Sequence, residues 1–339
     1  MNDEEKKVML AHGSGGRLTQ ELVQSVFAAG LGNPILDRME DAATLELQGR
    51  LAFTTDSHVV SPLFFPGGDI GRLSLTGTVN DLAMMGAVPL YVAAGFIIEE
   101  GFPLAELGRI VTSMREASRE AGVQVVAGDT KVVERGAADG VFITTSGIGL
   151  IPDGVRISAA AASPGDAVIV SGTIGDHGVA ILSQRQGMDF EVELRSDCAP
   201  LGGLVRGMLE ASRRIRVLRD PTRGGLAAVL NEIAIASGVS VEIDEERIPF
   251  RPEVRAASEL LGLDPLVMAN EGKLVAVVAA QDAGRVLEVM RSHSLGSEAT
   301  VIGRVETAAG ERPRVFARTI LGSRRILSMP SGEQLPRIC

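Results

Sequence analysis

Apolar residues along this chain gather into two kinds of run. Short blocks of strand length occupy 51–55, 90–98, 123–127, 141–151, 167–171, 274–280 and 299–305. Blocks of four to about ten apolar residues bounded by turn residues are the signature of buried strands. Between them Leu104, Leu107, Val111, Met114 and Ala121 recur at helical spacing. Residues 103–121 are therefore predicted as a helix with one apolar face, opened by Pro103 and stopped by Gly122. Similar stretches predict helices over 18–27, 69–86, 226–236 and 283–292.

The pattern breaks over 152–164, where alanines and polar residues lie between Pro152 and Pro164. A domain boundary there gives two units, 1–155 and 156–327, a number that suits 339 residues. Strands and helices mix in both units without strict alternation, so the fold class is mixed α and β. After Leu327 the last twelve residues, 328–339, hold Pro330, Gly332 and Pro336. They are expected to form an extended, flexible tail. At about 3.3 Å per residue it could reach roughly 40 Å and enter a cleft.

Composition sharpens the picture. There is no Trp, one Tyr and 10 Phe, so aliphatic side chains must fill the core. The formal charge of −10 argues against a nucleic-acid partner, which calls for clustered positive charge. Small phosphates remain open, because backbone amides and carboxylate-held metals can bind them. Two cysteines, Cys198 and Cys339, are too few for a disulfide framework or a cysteine-built metal site. The polar first residues are not followed by a signal-like apolar stretch, and no apolar run reaches the roughly 18 residues of a membrane span. A cytoplasmic protein without membrane contact is the expectation.

Candidate chemistry begins with aspartates at the expected ends of apolar strands or in glycine-flanked turns: Asp41, Asp56, Asp81, Asp129 and Asp220. Each alone could be a turn former or a helix cap. Together they suit a magnesium–phosphate site, where cations relieve the repulsion between carboxylates. The loop Gly13-Ser14-Gly15-Gly16 precedes a predicted helix and could cradle phosphate, although no Lys-Ser or Lys-Thr follows as in a P-loop. Glu271, in Asn270-Glu271-Gly272-Lys273, is a candidate general base or one half of a solvated pair. Lys131 could meet a phosphate, and His177 is an acid–base candidate or a structural histidine. Cys339 ends the tail. A carboxylate beside it does not lower a thiol pKa, so it fits a carrier loaded by another enzyme better than a self-activated nucleophile.

These motifs together resemble the ATP-binding superfamily of aminoimidazole ribonucleotide synthetase, selenophosphate synthetase, thiamine-monophosphate kinase and the HypE hydrogenase-maturation proteins. Asn80-Asp81-Leu82-Ala83-Met84-Met85-Gly86-Ala87 and Gly128-Asp129-Thr130 carry the superfamily likeness. His12-Gly13-Ser14-Gly15-Gly16, Asp220-Pro221-Thr222-Arg223-Gly224-Gly225 and the ending Pro336-Arg337-Ile338-Cys339 resemble the HypE group. The resemblance spans essentially the whole chain. It implies a homodimer whose N-terminal domains share a β-barrel, with ATP and Mg2+ between the two domains. It implies phosphate and metal roles for Asp41, Asp56, Asp81, Asp129 and Asp220, with Gly15, Asn80 and Lys131 beside the nucleotide. Glu40 departs from the second aspartate that relatives often carry. The implied reaction is ATP-driven dehydration of an S-carbamoyl group on Cys339 to a thiocyanate, with Glu271 as base and Lys131 and His177 as further catalytic candidates. The carbamoyltransferase HypF would load the cysteine, and the HypC–HypD complex would receive the cyanide for nickel–iron hydrogenase. Rival readings are a small-molecule kinase or synthetase of the same superfamily and a non-catalytic nucleotide-sensing scaffold. A selenophosphate synthetase would need an early cysteine, and none precedes Cys198.

Overall fold

The computed structural model describes residues 6–187, 194–308, 312–330 and 337–339. In the N-terminal half, strands β1 (Arg50–His58), β2 (Val88–Glu99), β3 (Gln124–Val133) and β4 (Val141–Ile151) form a sheet in the order β1-β4-β2-β3. Only β2 and β3 run parallel. Val92, Ala94, Phe96 and Ile98 alternate inward along β2, under helices α1 (Ile70–Met84) and α2 (Leu104–Ala121). The opposite face has no cover among the described residues. Phe53 is 71% exposed on it, with Leu51 and Ile97 also exposed.

Helix α1 is buried nearly all round, which is why its apolar and small polar residues are spread over every side instead of being segregated to one face. Its N-terminus is capped by Asp69, whose carboxylate accepts from Gly71 N and Arg72 N. A Cβ on Gly71 would lie 2.2 Å from the Ile110 carbonyl oxygen, so the crossing of α1 and α2 requires glycine. Thr78 Oγ1 lies 2.6 Å from Thr145 Oγ1 of β4, so a buried hydroxyl is satisfied against the sheet.

The second unit is a seven-stranded sheet. Its strands are β5 (Ala167–Val170), β6 (Ile215–Arg219), β7 (Ser240–Asp244), β8 (Val275–Val278), β9 (Thr300–Glu306), β10 (Val315–Arg318) and β11 (Arg324–Ile326). Their order is β11-β10-β7-β9-β5-β8-β6, antiparallel except for β10 beside β7. Helices α3 (Asp176–Gln186), α4 (Gly202–Ala211), α5 (Gly225–Ser237), α6 (Pro252–Leu261) and α7 (Ala280–Ser292) surround it. One face packs in a core with α4, α7 and the end of α1, through Leu82, Ala83 and Met84; the other packs on α5. Helix α1 thus belongs to the cores of both units, and the connecting segment lies between Ile151 and Ala167.

The long elements agree with the apolar pattern, but two strands run further than it indicates. β1 continues to His58 and β3 to Val133, because β4 and β2 offer paired partners along their length. Asp56 and Asp129 therefore sit within paired strands, and Asp81 within α1, rather than at strand ends. Short polar-edged elements such as β11 carry no apolar signal; arginines hold it, Arg324 pairing with Glu242 at 2.8 Å and stacking on Phe316. Gly332 and Pro336 of the tail lie outside the described residues, whereas Arg337, Ile338 and Cys339 are docked.

Leu73 of α1 is fully buried. Leu73→Ala is expected to lower the unfolding free energy by about 2–5 kcal/mol, read from the urea midpoint at unchanged slope.

Candidate active site

Helix α1 carries the interdomain face of the site. Asn80 donates from Nδ2 to the carbonyls of Ala199 (3.0 Å) and Glu271 (3.3 Å), and its Oδ1 accepts from Leu201 N at 2.8 Å. The side chain staples the two units and fixes the backbone at Glu271. One residue on, Asp81 accepts from Thr54 Oγ1 at 2.8 Å. Asp56, on the same inward face of β1 as Thr54, lies 3.3 Å from buried His58 Nε2. Asp220 follows β6, at the start of the Pro221-Thr222-Arg223 turn.

These carboxylates disturb one another. Burial pushes Asp220 up to about 7, reinforced by the charge of Asp81. Burial also raises Asp81, helped by Asp56. Asp56 runs the other way: burial raises it, but the His58 hydrogen bond and charge bring it below its ordinary value. Glu271, only 3% exposed, is pushed well above the carboxylate range by burial and then by Asp197, Asp220, Asp56 and Asp81.

The loop carrying Glu271 is held from several sides. Glu271 N donates to Asp197 Oδ1 at 2.9 Å, and Lys273 pairs with the other oxygen of Asp197 at 3.4 Å. Asn270 accepts from Gly175 N and donates to the carbonyls of Pro221 and Met268. A Cβ on Gly272 would fall 1.8 Å from the Asp197 carbonyl oxygen, so no other residue fits. Against this rigidity, Glu271 Oε1 is buried without a hydrogen-bond partner.

Gly15, Asp41, Asp129 and Lys131 gather elsewhere, at the β3 edge. The glycine-rich loop lies on β3, where a Cβ on Gly13 would come 2.7 Å from Val132 N. Gly15 has φ +82°, and its N–H donates to Thr19 Oγ1 at 3.0 Å. Asp41 and Asp129 share a 250 Å3 cavity with Glu40 and Thr19. Lys131 Nζ lies 3.0 Å from Asp129 and holds its carboxyl low. Register separates this group from the first. Asp56 pairs with Thr145, and Thr145 with buried Ala94, whereas Asp129 pairs with Gly95 of the opposite parity. Three strand spacings, about 14 Å, and opposite faces of the sheet lie between Asp56 and Asp129.

The chain end forms the third part. Ile338 is 4% exposed within the N-terminal core, and Cys339 packs half-buried against the same cluster, which includes Cys198 and Ala269. His177 Nε2 is 2.8 Å from the Ile338 carbonyl, and its Nδ1 is 2.8 Å from Ser196 Oγ. Burial lowers the His177 pKa, so the ring is neutral; a carbonyl only accepts, so Nε2 carries the proton and Nδ1 accepts from Ser196. His177 thus touches the tail. Cys198 is buried 3.0 Å from Thr76 Oγ1, and burial drives its thiol pKa far upward. Asp197, Ser196 and Arg185 have no motif that announces them in sequence; Asn270 and Lys273 could have been found from their adjacency to Glu271.

The all-oxygen donors Asp56, Asp81 and Asp220, two of them held high by burial and then by neighbouring carboxylates, fit a hard divalent cation. Among the described residues no three such side chains already stand at metal-binding spacing.

Residues 39–151 match the family model described as AIR synthase related protein, N-terminal domain, and 163–316 the model of its C-terminal domain. The chain is 57% identical to the carbamoyl dehydratase HypE of Azotobacter vinelandii, over 98% of this chain and 97% of that one. The crystal structure of hydrogenase maturation protein HypE in complex with ATP superposes with a TM-score of 0.94 at 50% identity, covering 98% and 99% of the two chains. A chain of the crystal structure of a HypE–HypF complex gives 0.81 at 50% identity, covering 93% and 100%.

The raised Asp220 predicts a pH signature. The folded state holds this proton to about pH 7 and the unfolded chain only to about 4, so its stabilising contribution is complete below 4 and is lost as pH rises through 7. In chemical denaturation without divalent cations, Asp220→Asn is expected to exceed the parent at pH 8, on the order of 3 kcal/mol, and to lose that advantage toward pH 4.

Proposed function

Because the chain belongs to the HypE family of AIR-synthase-related proteins, we propose that it is an ATP-dependent carbamoyl dehydratase whose substrate is the S-carbamoyl group on its own Cys339. The observation that carries this reading is the docked terminus: Ile338 is buried in the core of the ATP-binding half, with the reactive cysteine packed beside it. A small-molecule kinase of the same superfamily has no need of such a tail.

The reaction balances as follows. The carbamoyl oxygen attacks the γ-phosphorus of ATP, ADP leaves, and the oxygen later departs within inorganic phosphate. Both N–H hydrogens leave as protons, and carbon and nitrogen are left triply bonded, with no change of oxidation state. An amide oxygen is a poor leaving group and phosphate is a good one, which is what ATP contributes. Magnesium, when bound, would spread charge on the transferring phosphoryl group. Asp56, Asp81 and Asp220 would hold it with the phosphates. Glu271, buried and unpartnered at Oε1, is the base for the carbamoyl nitrogen; cations entering the cluster bring its raised pKa back toward the working range. His177 serves the tail backbone rather than the reacting atoms.

The exposed apolar sheet face around Phe53, Leu51 and Ile97 supports a homodimer closed on that face. Asp129 and Lys131, which cannot reach Asp56 in their own chain, would then act on the nucleotide of the other copy. The carbamoyltransferase HypF would load Cys339, as the HypE–HypF complex of relatives suggests, and the HypC–HypD complex would take the product. None of the described helices is long and apolar enough to cross a membrane, in keeping with a cytoplasmic role.

Intact-mass measurement tests the chemistry. With carbamoyltransferase, carbamoyl phosphate and ATP, Cys339 is expected to gain one carbamoyl group and then, with further ATP, lose one water. Glu271→Gln should load normally and lose at least about a hundredfold in the water-loss step. Loading without water loss in the parent would leave a carrier or scaffold; absence of loading would point to a small-molecule kinase. Mixed dimers test the shared site: Asp56→Asn and Asp129→Asn chains, each inactive alone, should regain activity together, and no regain would place both residues in one protomer's site.

A further inference from the structure

The last three residues are gripped mainly through their backbone. Ser61 N donates to the Arg337 carbonyl at 3.2 Å and Val59 N to the Cys339 carbonyl at 3.1 Å, while Arg337 itself turns through a left-handed φ of +53°. His177 Nε2 takes the Ile338 carbonyl. The Arg185 guanidinium donates to the Ser61 and Arg337 carbonyls, bridging the receiving segment and the tail. Every carbonyl of Arg337-Ile338-Cys339 is therefore bonded. Two side chains give identity: Ile338 enters the core, and Arg337 donates from Nε to the Val59 carbonyl at 2.9 Å and pairs with Asp139.

We propose that Arg185 and Asp139 are positioning residues, forming a latch that reads the Arg-Ile-Cys end and sets how often Cys339 is delivered to the dehydration site. Arg185 contributes more. Its two charge-assisted bonds are part-buried and go to main chain, one on the receiving segment and one on the tail, so they hold the turned tail backbone whatever its side chains. Asp139 is exposed and pairs with the Arg337 guanidinium, so it contributes less energy and supplies the choice of Arg. Loading by another enzyme needs the cysteine free of this groove and dehydration needs it seated. Weakening the latch must therefore move the two steps in opposite directions, whereas damage to the active site would leave loading unchanged. The consequence for dehydration rests on the function proposed above; the docking itself does not.

The experiment uses the full chain and iodoacetamide, with both cysteines followed by mass spectrometry. Cys198 is buried in the core and serves as an internal reporter of folding. Arg185→Ala is expected to raise the alkylation rate of Cys339 about tenfold and Asp139→Asn about twofold to fivefold, with Cys198 still protected. Arg185→Lys should fall between parent and Ala. In the same variants carbamoyl loading should hold or quicken while water loss slows. If Arg185→Ala also exposes Cys198, its effect is not confined to the tail, and the surface variant Asp139→Asn decides. Unchanged Cys339 alkylation in folded Arg185→Ala, or in Asp139→Asn when it must decide, overturns the latch. Faster alkylation with no water loss even in the parent keeps the latch and overturns the dehydratase reading instead.

Discussion

Everything in the site hangs on one constraint, that helix α1 is buried between two domains and must satisfy its polar groups on both sides. A buried polar group without a partner costs about 1–3 kcal/mol, so each one on this helix selects a neighbour. Thr78 meets Thr145 of the sheet, Thr76 meets Cys198, and Asn80 fastens Ala199, Leu201 and Glu271 of the second unit. These bonds fix the distance between Asp81 on the helix and Glu271 across the cleft. The interdomain part of the candidate active site is the set of side chains that this helix brings together, and the domains have little freedom to slide without breaking Asn80's contacts.

The carboxylates obey the opposite rule. Asp220, Asp81 and Glu271 are held where their charged forms repel one another, and Glu271 Oε1 has no donor. A stability optimum would replace some of them by amides. Their presence makes sense when a cation and phosphate complete the site, because each then exchanges repulsion for attraction. Asp282 shows what a purely structural carboxylate looks like in the same chain: bonded to Ser212 and bidentate to Arg214, with its pKa drawn down to about 2.

How much of this was legible in sequence follows from what sequence patterns measure. Periodicity reports burial, so the long elements around Leu107 and Val141 could be read directly, as could the mixed fold. It does not report where pairing stops. That is why Asp56 and Asp129 read as strand-end residues although β1 and β3 carry them inside the sheet. The shared residue type of the aspartates hides their division, because strand parity, which separates Asp129 from Asp56, depends on a register fixed by Ala94, Gly95 and Thr145 on other strands. Residues that act through main-chain contacts were illegible for the same reason. Arg185 donates to two carbonyls, and carbonyls carry no residue identity.

The tail brings the two rules together. A substrate fixed covalently to the chain needs no affinity to stay nearby, since tethering already keeps its local concentration high. What it needs is an exact pose that can be given up. Backbone contacts supply pose: two N–H groups, His177 and Arg185 hold the three carbonyls of the turned tripeptide, and one isoleucine supplies burial. A tail anchored by several buried side chains would dock more firmly and leave more slowly, which would starve the loading step. A single buried aliphatic residue is worth roughly 1.5–3 kcal/mol, and net hydrogen bonds about 1 kcal/mol each. Sums of that size, less the entropy of ordering three residues, leave a docked state that is favoured yet reversible. Three residues of contact therefore suit a chain that must serve as both enzyme and substrate.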